Sequence, residues 1–368
     1  MTVEEKSSQV LMTGIDGKTS FSASMRRHFD GVVPGAVLLF RFNIGETPRE
    51  VSDYLASCTE GFAALKAPVP VLFAIDHEGG AVYRMGKVTT RLPSASAVAS
   101  GLSAKKSEDL YRFSGKQLSL LGIKLNLAPI AEILTPENQP FLGSRAYSAS
   151  KDIAQLYALS ALSGYRQGGI LTVLKHFPGN GSGDPHAWLS TLNVSSVEFE
   201  KTFVAPFRFL VKQHPDAVLV SHIIVPAVEP LVPFCFSYKG VTGLLRRSLG
   251  FKGLILTDDI AMGAIAKNGY STKTAAILAL KAGCDMVMVS DPDIRSVANA
   301  IASEARGDSV FAKRLDEAVT RILEMKYRAG LVKNGAERYS DSSRAEVFDE
   351  QEFDRMRTLG DRILEEIK

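Results

Sequence analysis

The sequence has few of the residues that build disulfide frameworks, zinc sites or membrane spans. Its 3 cysteines, Cys58, Cys235 and Cys284, are far apart in 368 residues and outside any CxxC spacing. This set predicts neither disulfides nor a metal site and favours a reducing compartment. No window supplies the roughly 20 apolar residues of a membrane span. The N-terminal MTVEEKSSQV is acidic where a signal peptide is basic. We therefore expect a cytoplasmic chain without a membrane span, although a chain that had lost its signal peptide would look the same.

The chain also lacks a large excess of either charge. Lysine and arginine number 43 against 40 aspartate and glutamate, a net charge of +3, with no basic block. Because nucleic-acid binding needs clustered cations, we do not expect a nucleic-acid partner. The GxSxG, GxGxxG and P-loop motifs are absent, which argues against acyl hydrolases, dehydrogenases and kinases.

Short apolar runs rich in β-branched residues are plentiful. Eight occur, in the segments QVLMTG, AVLLFRF, VPVLFAID, IKLNLAP, ILTVLKH, DAVLVSH, GLILTDD and DMVMVSD. They are continuous rather than alternating, which is typical of parallel strands buried on both faces. Helical segments between most of them predict an α/β fold, a (β/α)8 TIM-type barrel, with an open doubly wound sheet as the alternative.

Capping signals predict where the intervening helices begin and end. TPRE at 47–50 is a capping box with proline at the first helical position, and it opens a helix towards residue 65. A second helix, from residue 150, ends at a Gly-Gly pair. Further helices are predicted at 107–121, 197–212, 241–249, 272–282 and 311–329. We predict one catalytic domain over 1–335, then a polar linker and a C-terminal helix in 336–368, and a monomer.

Polar residues follow four of the predicted strands at their carboxyl ends. They are Asp76, the pair Lys175 and His176, His222, and the pair Asp258 and Asp259. In a barrel, these ends converge at one mouth, where catalytic groups lie. A single aspartate after a strand is ordinarily a helix cap or a turn residue. Four such strands together favour an active site.

Two of these segments have residue types suited to nucleophilic and proton-transfer chemistry. Asp258 is a carboxylate able to attack or stabilise an electrophilic carbon, with helix capping as its structural alternative and Asp259 as its competitor. His186, on the glycine-rich GNGSGDPH, is able to transfer a proton near neutral pH, with Asp184 orienting it. Its alternative is a solvated loop histidine.

The segment DHEGGAVYR offers groups for recognising a sugar. Asp76 is able to accept two sugar hydroxyls, a Gly-Gly turn follows, and Arg84 would complement the carboxylate. An ordinary loop between a strand and a helix is the alternative.

Five segments, KHFPGNGSGDPH, LTDDIAMGA, DHEGGAVYRM, LAPIAEI and FLGSRAYS, together resemble the glycoside hydrolase family 3 β-N-acetylglucosaminidases. The likeness runs in order from about residue 10 to about residue 331. It implies a barrel-type catalytic domain that works without a metal or organic cofactor. It also implies a retaining, two-step hydrolysis in which Asp258 is the nucleophile and His186, paired with Asp184, is the acid/base. Asp259 then has a structural part.

The same resemblance implies the residues that bind the sugar ring. They are Asp76, Arg84, Arg145, Lys175 and His176. For His222 the resemblance assigns no role, and we expect a structural part. The sequence departs from the family in the loop before His186, where Asn180 replaces a histidine, Pro185 replaces a small hydroxyl residue, and two residues are missing. Because proline restricts its own backbone and that of the residue before it, the approach of the dyad is expected to differ.

These features predict an exo-acting β-N-acetylglucosaminidase on small carbohydrates of muropeptide or chitobiose type. A family 3 glycoside phosphorylase is one alternative, since a histidine acid/base tolerates an anionic phosphate better than a carboxylate would, and a β-glucosidase is another. From a different class, the altered loop leaves open a sugar-binding protein with degraded catalysis.

Overall fold

The computed structural model describes residues 1–181, 189–332 and 348–367, and its centre is a parallel sheet. The strands in these ranges are β1 (Leu11–Thr13), β2 (Ala36–Leu39), β3 (Leu72–Ile75), β4 (Leu125–Asn126), β5 (Leu171–Phe177), β6 (Ala217–Val220), β7 (Ile224–Val225), β8 (Glu229–Pro233), β9 (Leu254–Thr257) and β10 (Val287–Met288). Each of the eight predicted apolar runs coincides with one of them, and β5 extends one residue beyond its run, to Phe177. Strands β7 and β8 pair with each other in a separate antiparallel hairpin.

The eight parallel strands close into a barrel. Their order is β10-β1-β2-β3-β4-β5-β6-β9. The two ends of this series also meet, because Leu256 of β9 forms a parallel bridge with Met286, which precedes β10. The Thr257 amide donates to the Met286 carbonyl at 3.1 Å. The predicted (β/α)8 barrel is therefore confirmed and the open sheet is excluded.

Burial explains why the strand sequences are apolar throughout. Every residue of β2, β3, β6 and β9 is buried, because one face fills the barrel and the other packs under the surrounding helices. Helices follow most strands. The described helices of seven or more residues are Val3–Gln9, Ala23–Phe29, Pro48–Ala64, Ala95–Gly101, Ala104–Leu120, Lys151–Gln167, Ala205–Val211, Thr272–Ala282, Ile294–Gly307, Ser309–Arg328 and Glu350–Leu364, with π-helical turns at Phe199–Val204 and Lys239–Ser248. None of the described helices is long and apolar enough to cross a membrane.

The helix predictions need correction at several points, and the helices Val3–Gln9, Ala23–Phe29 and Ala95–Gly101 were not predicted. The capping box at Thr47 is only half formed: Thr47 accepts from the Glu50 amide at 3.2 Å, but Glu50 accepts from the Glu46 amide instead of the Thr47 amide. The predicted helix over 197–212 changes winding at Phe199–Val204, next to Pro206, which has no amide to continue the usual hydrogen-bond ladder. The helix Ile294–Gly307 was missed, although Asp293 caps it and apolar residues recur along one face.

The C-terminal helix folds back onto the barrel. Glu350–Leu364 packs against Ala104–Leu120, and the Thr90 hydroxyl donates to the Arg357 carbonyl at 3.1 Å. A β-carbon at Gly360 would lie 2.8 Å from the Thr90 hydroxyl oxygen, so this contact requires glycine. Residues 333–347 lie outside the described ranges, and the domain boundary at residue 335 stays a prediction.

One lysine is buried among the helices at the end of the barrel opposite the strand carboxyl ends. Lys326 has no exposed surface, and its ammonium donates to Gln9 Oε1 at 2.8 Å. Burial lowers the pKa of Lys326 to about 7, since the charged form has lost its hydration. In the unfolded chain, the pKa of lysine is about 10.4.

We predict that Lys326→Met is more stable than the wild type, and that the difference in the free energy of unfolding is largest at about pH 6. This difference should decrease from about pH 7 to about pH 10. Between these pH values the unfolded wild-type chain binds one proton more than the folded chain. The free energy of unfolding of the wild type therefore rises with pH, by at most about 1.4 kcal/mol per pH unit. Urea unfolding at several pH values measures the difference. Lys313→Met, an exposed position on the same helix, is the control. A stability difference for Lys326→Met that does not vary with pH would contradict the prediction.

Candidate active site

The predicted site residues that the structure describes meet at the carboxyl ends of the barrel strands. Asp76 follows β3, Lys175 and His176 lie in β5, and Asp258 follows β9. The Lys175–His176 peptide bond is cis. A cavity of about 940 Å³ at the opposite end, between Ser309–Arg328 and the start of β9, contains none of the predicted site residues.

A buried network of two cations and two carboxylates forms one wall of the site. The Lys175 side chain is 2% exposed, and its ammonium lies 2.6 Å from Asp76 Oδ1 and 2.5 Å from Glu78 Oε1. Arg145 donates to both oxygens of Glu78, each at 2.8 Å, and its guanidinium lies over the Phe141 ring. Glu78, which the sequence analysis missed, thus contacts two predicted residues, Lys175 and Arg145, and Lys175 adds Asp76 to the network. It lies two residues after Asp76, and its burial was not visible from the motif.

The pKa values of the two carboxylates in this network are shifted in opposite directions. Burial alone would raise the pKa of Glu78, but Lys175 and Arg145 outweigh it and hold that pKa well below its usual value. Burial raises the pKa of Asp76, the charge of Glu78 adds to this effect, and Lys175 opposes it. Glu78 therefore anchors the cations, while Asp76, whose side chain is 26% exposed, faces the mouth.

Glu132, in the LAPIAEI segment, orients His176. Its Oε1 lies 2.7 Å from His176 Nδ1 and accepts from Asn180 Nδ2 at 2.8 Å, while its Oε2 accepts from the Asn180 amide at 2.7 Å. Because an ionised carboxylate only accepts, Nδ1 is the nitrogen that donates. The two hydrogen bonds to Glu132 hold Asn180, which differs from the family pattern, near the start of the glycine-rich loop. Sequence reasoning missed Glu132, which no spacing rule connects to His176.

Asp258 and Asp259 have different environments. Asp258 Oδ1 accepts from the Asp259 amide at 2.9 Å, whereas Asp259 Oδ1 accepts from the amides of Ala261 at 2.9 Å and Ser290 at 3.1 Å. Asp259 Oδ1 is thus occupied by two backbone amides, and its structural part stays a prediction. The next helix begins at Gly263 without a side-chain cap, so the capping alternative for Asp258 is wrong. His222 Nε2 lies 3.0 Å from the Asp259 carbonyl, and its structural part likewise stays a prediction.

Neighbouring charges keep Asp258 ionised. Burial alone would raise the pKa of Asp258, but the His222 and His176 imidazoles, the Asp259 amide and the Lys175 ammonium outweigh it, so the pKa lies below its usual value. An ionised carboxylate at neutral pH is what a nucleophile requires.

Arg84 has a different partner from the one predicted. Among the described contacts, Asp76 pairs with Lys175, and the Arg84 amide donates to His77 Nδ1 at 3.3 Å. Burial, assisted by Arg84, lowers the pKa of His77 to about 3, so this imidazole is neutral. The Arg84 Nε has no hydrogen-bond partner among the described residues. Arg84 therefore makes no described contact with Asp76, and its role in sugar binding stays a prediction.

The predicted acid/base pair, His186 and Asp184, lies outside the described residues, as does Pro185. The described flanks of that segment are held in place. Asn180 binds Glu132, and the Leu192 amide donates to the Ile224 carbonyl at 2.8 Å. No three histidine, cysteine, aspartate or glutamate residues within 1–181, 189–332 and 348–367 are grouped as a metal ion would require.

Comparison with known proteins identifies the family. The family model described as the glycosyl hydrolase family 3 N terminal domain matches residues 2–325. The chain belongs to glycosyl hydrolase family 3. This family 3 chain is 32% identical over 292 residues to a beta-hexosaminidase of Nitrosomonas eutropha, covering 77% of this chain and 81% of that protein.

Solved structures of family 3 members have the same fold. A β-N-acetylglucosaminidase from Paenibacillus sp. str. FPU-7 superimposes with a TM-score of 0.86 at 28% identity, covering 100% of this chain and 69% of that one. A β-N-acetylhexosaminidase from Beutenbergia cavernae gives 0.80 at 27% identity, covering 89% and 99%. The family 3 chain is therefore a glycoside hydrolase, and the resemblance found from its motifs is confirmed.

We predict that Glu78→Gln lowers kcat/KM about tenfold to a hundredfold, because Lys175 and Arg145 lose the charge that positions them. The pKa of Asp76 should fall as well, since its like-charged neighbour is gone, and the acid limb of the kcat/KM profile should move to lower pH. Steady-state kinetics across the pH range measures both. Glu108→Gln, on an outer helix, is the control. An unchanged kcat/KM would show that Glu78 does not support the site.

Proposed function

We propose that this protein is an exo-acting, retaining β-N-acetylglucosaminidase that removes terminal β-linked N-acetylglucosamine from muropeptide- or chitobiose-type substrates. The observation that carries the proposal is an ionised Asp258 at the same barrel mouth as the Lys175, Asp76, Glu78 and Arg145 network. The choice of N-acetylglucosamine as the sugar is based on the related proteins, which include a beta-hexosaminidase and a β-N-acetylglucosaminidase.

In the first step, an Asp258 carboxylate oxygen attacks the anomeric carbon while the bond from that carbon to the leaving oxygen breaks. His186 donates a proton to the leaving oxygen, and the sugar remains as a glycosyl ester on Asp258. In the second step, a water loses a proton to His186 and attacks the anomeric carbon. The ester bond breaks, Asp258 regains its charge, and the sugar leaves with its original anomeric configuration.

The remaining predicted residues would hold the sugar ring. The exposed edge of Asp76 is positioned to accept hydroxyl hydrogens, and Lys175 fixes its orientation. His176 is oriented by Glu132 and contributes to the low pKa of Asp258. Because these groups are pre-positioned by buried partners, they need little rearrangement as charge develops on the ring.

Hydrolysis is proposed rather than phosphorolysis on the basis of charge. Lys175 and Arg145 are both neutralised by Asp76 and Glu78, so neither ammonium nor guanidinium supplies a net positive charge for phosphate. We further propose one catalytic domain over 1–335 with an accessory terminal segment, a monomer, and a cytoplasmic location. The three cysteines, which are free and buried, support the last point.

We predict that Asp258→Asn abolishes turnover, because the amide has no charge with which to attack the anomeric carbon. Asp259→Asn is the matched control, since its amide oxygen still accepts from the backbone, and it should retain measurable turnover. A 5-fluoro N-acetylglucosaminyl fluoride, followed by peptide mapping, should label Asp258. Label on Asp259, or near-normal kcat in Asp258→Asn, would overturn the assignment.

We predict that His186→Ala impairs disaccharides much more than activated aryl glycosides, whose leaving groups need little protonation. With an aryl substrate, the second step then limits the rate, and azide should restore turnover by replacing the water that needs a base. Asp184→Ala should show a milder form of the same behaviour. Equal losses on both substrates without azide rescue would exclude proton transfer by His186.

A further inference from the structure

One of the three buried cysteines lies close to the nucleophile and has no role in the function proposed above. Cys235 has no exposed surface and lies in the helical turn Phe234–Phe236, directly after β8. Its Sγ lies 3.2 Å from Nδ1 of His222, which is 2% exposed. Burial holds the pKa of Cys235 well above its usual value, and the charge of Asp258 adds to this effect, so the sulfur is a thiol. Two polar groups that water does not reach are therefore paired with each other.

The other ring nitrogen of His222 shows where its proton lies. Nε2 is 3.0 Å from the Asp259 carbonyl oxygen, which only accepts hydrogen bonds. Nε2 therefore carries a hydrogen, in the neutral ring and in the imidazolium alike. Nδ1 accepts in the neutral ring and donates in the imidazolium. A thiol is able to pair with Nδ1 in both states, because it is a weak donor and a weak acceptor.

The contacts continue from His222 to the nucleophile. The Asp259 amide donates to Asp258 Oδ1 at 2.9 Å, and the Asp258 amide donates to the Val220 carbonyl at 3.0 Å. Val220 ends β6, two residues before His222. Three hydrogen bonds in series therefore lead from the Cys235 thiol to a carboxylate oxygen of Asp258.

Backbone and ring contacts fix the turn that carries Cys235. The Phe234 amide donates to the carbonyl of Ile223, the neighbour of His222, at 2.8 Å. The Phe234 ring packs edge-on against Phe177 of β5, with ring centroids 5.4 Å apart. Because side chains held in this way lose little freedom when they act, the thiol is pre-positioned against His222.

We propose that Cys235 is a positioning residue for the nucleophile, because its thiol holds His222 in the orientation that directs Nε2–H at the Asp259 carbonyl. Asp259 in turn presents its amide to Asp258 Oδ1, which orients the carboxylate for attack on the anomeric carbon. The inference rests on the proposed function and adds a residue to its site. A thiol or a hydroxyl suits this position, whereas an apolar side chain does not.

The first test compares two substitutions that both remove the sulfur. Cys235→Ser keeps a group that donates and accepts, whereas Cys235→Ala leaves Nδ1 without a partner in a buried place. With an aryl N-acetylglucosaminide, we expect Cys235→Ala to lower kcat about tenfold at nearly unchanged KM, since the sugar-binding groups are untouched. Cys235→Ser should stay within about threefold of the wild type. Cys58→Ala, at a buried cysteine of the helix Pro48–Ala64, is the control.

The second test counts only folded enzyme. The 5-fluoro N-acetylglucosaminyl fluoride titrates the active sites and also gives the rate constant for labelling Asp258. This rate constant, taken per active site, should fall about tenfold in Cys235→Ala and recover in Cys235→Ser. A residue that only fills space would change the active fraction and leave the rate constant per site unchanged. It would also make serine no better than alanine, because a buried hydroxyl without a partner is costly.

The third test needs no substitution at Cys235 and decides the question even where Cys235→Ala does not fold. Nitrogen-15 NMR of the wild type with labelled histidine reports which ring nitrogen is protonated, and the His222 signals are assigned by their loss in His222→Gln. We expect a protonated Nε2 throughout the pH range in which the enzyme is folded.

The outcomes separate the inference from the proposed function. A wild-type kcat and labelling rate in Cys235→Ala, equal losses in Cys235→Ser and Cys235→Ala, or a His222 ring protonated at Nδ1 alone overturns the inference and leaves the proposed function standing. A wild type that neither turns over the aryl substrate nor becomes labelled at Asp258 overturns the proposed function and the inference with it.

Discussion

The ion pair between Lys175 and the carboxylates of Asp76 and Glu78 is the constraint on which the rest of the site depends. A lysine that is 2% exposed would pay a large desolvation cost without partners, and both of its partners come from the end of another strand. The pair therefore fixes how β3 and β5 present their carboxyl ends, although β4 lies between them. Arg145 extends the network to the segment after β4. The charges of these four side chains neutralise one another, so the network forms a buried polar wall of the site.

The opposite end of the barrel uses charge for a different purpose. Asp285, which is fully buried, accepts from Arg246, Arg314 and Arg321 and from the Ile255 amide. These contacts tie the start of β9 to the helices around it, and none of them faces the mouth. In this fold, residues at the N-terminal end of the barrel usually stabilise the structure, whereas the reactive groups lie at the carboxyl ends of the strands. It leaves the loops at the mouth free to differ between relatives.

The sequence contained enough information for the barrel and for the identity of the reactive strand ends. All eight strands were predicted because buried parallel strands are apolar on both faces, which is a strong local signal. Glu78 and Glu132 were not predicted as site residues, since their roles depend on partners 97 and 44 residues distant in the chain, Lys175 and His176. Spacing along the chain reports local structure, whereas charge pairing is decided by which strand ends meet.

Asn180 shows how a departure from the family pattern is accommodated. A histidine at this position would carry a ring nitrogen towards Glu132, whereas the asparagine side chain and backbone amides donate to both Glu132 oxygens. Glu132 in turn holds His176 at 2.7 Å, and His176 contributes to the low pKa of Asp258. Asn180, near the start of the glycine-rich loop, and His176, which helps keep Asp258 ionised, therefore share one buried carboxylate, Glu132. A change at Asn180 would act on both, because the Asn180 side chain and the His176 imidazole share Glu132 Oε1.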